Sequence, residues 1–282
     1  MVDLAVLLLV VSILLVDGFL AFITYRLIKP PRYVEDWTPA DLGLSYEDVE
    51  FQTEDGLKIR GWWIDVNSDR TLIVMHGYTA SRWAFYVKRM IKEAASREFN
   101  VLTFDFRAHG ESEGKITTFG FYEILDLRAA LDWLQPRSQK VCLLGYSMGG
   151  IVAVRGLAED DRPLAGVADS APVYADKSAA RGLKYFARLP TWIYPVIKGY
   201  AMFLGAKNVD LMDYADKVKK PLLLVVGEQD PLVKVDEVKE FYERNKRVND
   251  VQIWVGRGGH VRIMLEEPGY ADKVLSFLGG KC

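Results

Sequence analysis

From residue 71 onward the chain repeats one pattern, a short and largely apolar run followed by a longer amphipathic one. Residues 71–75, 101–104, 141–144, 164–168, 221–226 and 251–255 are the apolar runs, and helical periodicity fills the stretches near 81–96, 119–134, 151–157 and 235–245. A strand apolar along its whole length needs cover on both faces, and parallel neighbours need a crossover between them. The alternation therefore predicts an α/β fold, a mostly parallel sheet between two helical layers. Ahead of it, residues 48–53 and 57–65 alternate in polarity around Glu54-Asp55-Gly56, which reads as an antiparallel hairpin. A chain of 282 residues, half of them hydrophobic, suits one such domain over 48–282 with an insertion in it.

The insertion shows as a break in the pattern. Residues 173–220 contain no strand run but are rich in aromatics, among them Tyr174, Tyr185, Phe186, Trp192, Tyr194 and Tyr200. Compact domains rarely carry a structureless loop of that length, so a small helical cap between strands is expected here.

The N-terminus departs from the pattern in another way. Residues 4–28 are mostly Leu, Val, Ile, Ala and Phe, and Pro30-Pro31 ends any helix there. About 20 apolar residues cross a bilayer, so the segment 1–29 is long enough for an anchor, with 30–47 as linker. Three readings compete: a membrane anchor, a hydrophobic helix packed as a lid or against a second copy in a homodimer, and a cleaved signal peptide. The last lacks a basic start, since the chain opens Val2-Asp3, and no Ala-x-Ala follows. Asp17 favours the packed helix, because a lone carboxyl at the centre of a bilayer costs about 2.5 kcal/mol or more. As an anchor followed by Arg26, Lys29 and Arg32, the segment would place the catalytic domain in the cytoplasm. As a packed helix it would belong to a soluble cytoplasmic protein.

A net charge of −2 gives no reason to expect nucleic acid as a partner. The two cysteines, Cys142 in an apolar run and Cys282 at the end of the sequence, lie in no metal-type or redox-type spacing, so neither a zinc site nor a disulfide is expected. Sparse Asn and Gln beside plentiful Glu, Lys and Arg is a composition met in thermophilic proteins.

Two segments match Gly-x-Ser-x-Gly, at Ser112 and at Ser147. A nucleophile elbow needs a strand running into the serine and a helix leaving it, with small residues where the backbone turns tightly. Ser147 follows Val141-Cys-Leu-Leu and precedes Gly150-Ile-Val-Ala-Val, whereas Ser112 lies in a polar loop. Ser147 is therefore the candidate nucleophile. A serine hydroxyl needs an adjacent base, usually His, and the chain has three histidines. His76 ends a strand and His109 lies in the loop of Ser112. Only His260, in Gly256-Arg-Gly-Gly-His, follows the last strand, where this arrangement puts its base. The acid should follow the run 221–226. Asp230 sits in the turn there, Glu228 is too close to the strand, and Asp236 suits the start of the next helix. An oxyanion needs two backbone N–H donors, expected from Met148 after the nucleophile and from Tyr78 in the loop His76-Gly77-Tyr78-Thr79.

These segments come in a recognisable order: His76-Gly-Tyr, Asp105-Phe-Arg-Ala-His-Gly-Glu-Ser112, Gly-Tyr-Ser147-Met-Gly-Gly, Gly-Glu-Gln-Asp230 and His260. Over about residues 48–280 the chain resembles the α/β-hydrolase superfamily, near prokaryotic serine esterases and monoacylglycerol-lipase-like enzymes. The resemblance implies a structural loop at 105–112, with no catalytic role for Arg107 or His109. It implies hydrolysis of a carboxylic ester through a Ser-His-Asp triad, with neither metal nor organic cofactor. The aromatic cap points to a small-molecule or lipid ester with an apolar acyl chain, with Tyr78, Trp192 and Tyr194 as candidate substrate contacts. Peptidases, thioesterases and acyltransferases use the same machinery. A catalytically silent, membrane-tethered binding protein is the remaining alternative, and it should have lost a triad member.

Overall fold

A computed structural model describes residues 3–282. The chain opens with helix α1 (Leu4–Ile28), then the hairpin β1 (Glu47–Gln52) and β2 (Lys58–Ile64). Strands and helices then alternate: β3 (Arg70–Met75), α2 (Phe85–Ala95), β4 (Asn100–Phe104), α3 (Glu123–Leu134), β5 (Lys140–Tyr146), α4 (Met148–Glu159) and β6 (Pro163–Asp169). Helices α5 (Ala175–Phe186) and α6 (Tyr194–Phe203) come before β7 (Leu222–Gly227). After them are α7 (Val235–Asn245), β8 (Val251–Gly256), the single turn α8 (Ile263–Glu266) and α9 (Tyr270–Gly279).

One eight-stranded sheet has the order β1-β2-β4-β3-β5-β6-β7-β8. β2 pairs antiparallel with both β1 and β4, and every neighbouring pair from β4 to β8 is parallel. The parallel strands are buried along nearly their whole length, because helices cover both faces. Their side chains alternate between two cores: Ile73, Phe104, Leu143 and Val226 pack with α3 and α4, while Leu72, Val101, Leu144 and Val225 pack with α2 and α9. The register brings one end of the central strands together. Met75 lies opposite Gly145, Tyr146 opposite Asp169, and Asp169 opposite Val225. The loops leaving β3, β5, β6 and β7 therefore meet at one edge, where open parallel sheets place their ligand crevice.

Past β8 the chain makes only the turn α8 before Pro268, and α9 begins at Tyr270. The cysteines are joined, which corrects the expectation of no disulfide: Cys142 on β5 bonds Cys282, with Cα atoms 6.3 Å apart. Helix α9 lays Leu275 and Leu278 on the same face of the sheet as Cys142, and this carries the end of the chain beneath β5. Sequence spacing cannot show such a pair, since 140 positions separate its members.

The segment between β6 and β7 holds α5 and α6, and α1 lies against α6. Leu20, Ile23 and Leu27 of α1 pack against Leu183, Ile193 and Ile197 of the insertion. The hydroxyl of Tyr200 donates to the carboxylate of Asp17, giving that group a partner within the chain. The N-terminal half of α1 is exposed from Leu4 to Val16, and the helix is long and apolar enough to cross a membrane. Residues 30–47, read as a linker, lie against the fold. Trp37 and Trp83 each donate an indole N–H to the other's carbonyl, at 3.1 and 2.9 Å.

Candidate active site

At the end of β5 the chain turns from strand to helix within a single residue. Ser147 has φ +52° and ψ −112°, a region L-residues rarely enter, and Met148 already begins α4. The glycines around it are dictated by contact. A Cβ on Gly145 would lie 2.0 Å from the Gly149 carbonyl oxygen, and one on Gly149 would lie 2.5 Å from that of Met75. Gly77 gives way to the nucleophile itself, since a Cβ there would come within 3.2 Å of the Ser147 Cβ. Strand-to-helix geometry and side-chain volume together aim Ser147 Oγ out of the sheet edge.

His260 and Asp230 come to it from the loops after β8 and β7. His260 Nε2 stands 2.8 Å from Ser147 Oγ, and His260 Nδ1 stands 2.8 Å from Asp230 Oδ2. The other carboxylate oxygen of Asp230 accepts the N–H groups of Leu232 and Val233, at 2.8 and 2.9 Å, so the acid is fixed by its own turn. Asp230 is buried, while His260 is partly open to solvent. Such an arrangement lets the imidazole take a proton from the hydroxyl while the carboxylate stabilises the resulting charge. The rival acids lie elsewhere: Glu228 is exposed and Asp236 sits in the first turn of α7.

The two backbone N–H groups of Tyr78 and Met148 donate to no carbonyl or side chain among the described residues. Met148 opens α4, so its N–H has no intrahelical acceptor and lies at the positive end of the helix dipole. The Tyr78 loop is held from three sides. His76 Nδ1 lies 2.7 Å from the Gly77 carbonyl and its Nε2 accepts the Phe106 N–H at 3.0 Å, which sets the Nδ1–H tautomer. Complete burial, with His109 beside it, pushes the His76 imidazole well below its usual range and keeps it neutral. The Gly77 N–H donates to the Tyr86 hydroxyl at 3.0 Å, and the Tyr78 hydroxyl donates to the Leu27 carbonyl of α1 at 2.6 Å. Sequence reading missed Tyr86 and Leu27 as supports, since neither carries a local motif.

The second Gly-x-Ser-x-Gly segment is a brace. Ser112 is buried, donating to the Asp105 carbonyl at 2.6 Å and accepting the Arg60 N–H at 2.9 Å. Arg107 is clasped by Asp126 and Asp55, and His109 Nδ1 lies 2.9 Å from the Arg107 carbonyl. The guanidinium of Arg32 donates to the carbonyls of Gly110 and Gly114, each at 3.0 Å, and to that of Ser112. The expected substrate contacts in the cap make no hydrogen bond to the triad residues. Trp192 is 78% exposed, and the Tyr194 hydroxyl donates to Asp176 at 2.7 Å. Among the described residues, no group of three or more His, Cys, Asp or Glu side chains is placed to hold a metal ion.

The sequence model of the alpha/beta hydrolase family matches residues 72–216, which contain the elbow and the His76 loop. The chain belongs to the α/β hydrolase family. Among solved structures, this hydrolase is similar to the Pyrococcus furiosus esterase Pf2001, at 48% identity and a TM-score of 0.82 over 91% of this chain and 99% of that one. A Bacillus subtilis protein, YqkD, is 28% identical over 68% of this chain, which spans 65% of that relative's length. The lysophosphatidylserine lipase ABHD12 of Xenopus tropicalis is 24% identical, over 90% of this chain and 74% of the relative.

Proposed function

We propose that this hydrolase is a serine carboxylesterase or lipase acting on esters with an apolar acyl chain. The observation that carries the reading is the unbroken relay of Ser147, His260 and Asp230, with 2.8 Å at each step, beside the N–H groups of Tyr78 and Met148 that have no internal acceptor. Ser147 Oγ attacks the ester carbonyl as His260 Nε2 takes its proton. The oxyanion then accepts both N–H groups, and Asp230 stabilises the imidazolium. The alcohol leaves with the proton from His260, and a water repeats the sequence on the acyl-enzyme. The hydrogen bonds of the triad are already formed and the two N–H groups have no other acceptor to give up, so little reorganisation opposes the reaction.

The choice of ester rests on relatives: the similar Pyrococcus protein is named an esterase, and the frog relative is named for a lysophospholipid. An apolar substrate suits the cap, where Phe186, Trp192, Met202 and Phe203 are exposed, and suits α1, whose first half is exposed apolar surface. In this reading α1 lies in a bilayer and the cap faces it, so that substrate reaches Ser147 from lipid.

The test is a series of p-nitrophenyl esters from acetate to palmitate, on the full chain and on Ser147→Ala. Hydrolysis should favour acyl chains longer than acetate and fall by about 10⁴-fold or more in the variant, the usual scale for losing a triad serine. No hydrolysis at any acyl length, or undiminished hydrolysis by Ser147→Ala, would overturn the proposal.

A further inference from the structure

One buried carboxylate near the triad has no part in the mechanism above. Asp169 ends β6, between Tyr146 of β5 and Val225 of β7, and it is 1% exposed. Among the described residues its carboxyl bonds only hydroxyl groups, accepting from Ser170 at 2.8 Å and from Tyr270 at 2.6 Å. Burying a charge without a cation is costly, and a fold would more simply place an apolar residue there. Asp169 is not the triad acid, because His260 Nδ1 is already bonded to Asp230.

Its bonds lead to both reacting groups. The Asp169 carbonyl accepts the Ser147 N–H at 2.8 Å. The Ser170 hydroxyl, donating to Asp169, accepts the N–H of Val261 at 3.1 Å, and Val261 is the residue after His260. The neighbouring Ser170 N–H donates to Val225 at 2.8 Å, tying the dipeptide to β7. Ser147, Ser170 and Val261 all sit at positive φ, +52°, +54° and +55°. For a β-branched residue such as Val261 that backbone is strained, so something must hold it. The Ser170 hydroxyl is placed to do so.

We propose that Asp169 and Ser170 are positioning residues that hold Ser147 and His260 in register: the Asp169 carbonyl holds the Ser147 N–H, and the Asp169 carboxylate orients the Ser170 hydroxyl that holds Val261 beside His260. The proposal rests on the Ser-His-Asp reading. It assigns the buried carboxylate a second effect. The groups facing Asp169 are Tyr86 and Tyr146 from α2 and β5, Tyr270 from α9, and Asp230 and His260 from their loops. Burial pushes the Asp169 carboxyl up to about 6, and its ionised form adds negative potential at His260.

Two variants of the full chain test this. Ser170→Ala and Asp169→Asn should each lower kcat about tenfold with KM within about twofold, as misplacement of a reacting group does. In Asp169→Asn the acid limb of kcat/KM should also move to lower pH, because a charge that favours imidazolium is gone. A merely structural site would leave that limb in place. Asp169→Asn keeps the shape of the side chain, so it carries the test if Ser170→Ala does not fold. Labelling of wild-type Ser147 by a fluorophosphonate separates the two levels. A labelled wild type with kcat unchanged in both variants overturns the positioning role alone, and an acid limb unmoved in Asp169→Asn overturns the charge effect alone. A wild type that resists labelling overturns the triad reading and this role with it.

Discussion

The elbow at Ser147 and the helix pair α1–α6 are built on opposite terms. At the elbow, backbone meets backbone: added Cβ atoms on Gly145 and Gly149 would fall 2.0 and 2.5 Å from carbonyl oxygens. In α1 and α6, Gly18 and Gly199 have nothing within 4 Å of an added Cβ. The first region is determined by contacts inside the chain. In the second, a few apolar side chains touch and the rest of the surface is open, so its arrangement answers to its surroundings as much as to the sequence. Catalytic geometry needs the first kind of determination. A region that admits substrate needs the second.

The largest effect should come from breaking the elbow. In Gly149→Ala the new methyl would meet the carbonyls of Met75 and His76, both parts of a buried strand end that cannot turn aside. A loss of about 3 kcal/mol, the upper range for overpacking, is expected together with loss of esterase activity. Thermal melts and p-nitrophenyl ester hydrolysis read both. A stable, active Gly149→Ala would mean that the elbow yields as easily as the cap, and the contrast would fail.

That contrast also marks what the sequence made legible. The strands announced themselves because each is buried on both faces, so apolar runs such as Leu222–Gly227 are nearly uninterrupted. Ser147 was readable because its glycines are forced by close contact, and His260 because only three histidines exist. The supports were not readable. Asp169 looks like any polar residue ending a strand, and Tyr86 reaches Gly77 only because α2 folds over β3. The Cys142–Cys282 bond depends on where α9 docks, which spacing along the chain does not record. Nor does the sequence mark residues 24–32, which read as the end of an anchor and the start of a linker and which in the structure include the fully buried Thr24 and Ile28.

Those residues join the two regions, and cutting on either side of them sharpens the comparison. The Leu27 carbonyl accepts the Tyr78 hydroxyl at 2.6 Å, and the Ile28 carbonyl accepts the Thr117 N–H at 2.7 Å. A chain starting at Ile23 keeps both bonds and loses most of the exposed helix, whereas one starting at Pro31 loses both. The shorter cut should abolish flotation with phospholipid vesicles and leave kcat on p-nitrophenyl acetate within about twofold. The longer cut should lower kcat by about a further tenfold, since it releases the loop bearing the Tyr78 N–H, the proposed oxyanion donor. Equal kcat in the two truncations would mean that α1 serves only as an attachment.

The smallest effect lies in the cap. Gly199 is inside α6, where a glycine costs helix stability and no contact requires one. Gly199→Ala should therefore stabilise the protein by about 0.5–1 kcal/mol, a small rise in Tm, with kcat on p-nitrophenyl acetate unchanged. The new methyl would project into a groove of about 600 Å³ between α1 and α6, lined by Ala21, Val196, Tyr200, Phe203 and Leu204. Comparing acetate with palmitate then asks what that groove holds. If activity falls on the long ester alone, the acyl chain runs along α1, and the loosely packed region is part of the site. If both esters are cleaved as before, the groove belongs to the surroundings of the protein, and selection of the acyl chain lies nearer Ser147.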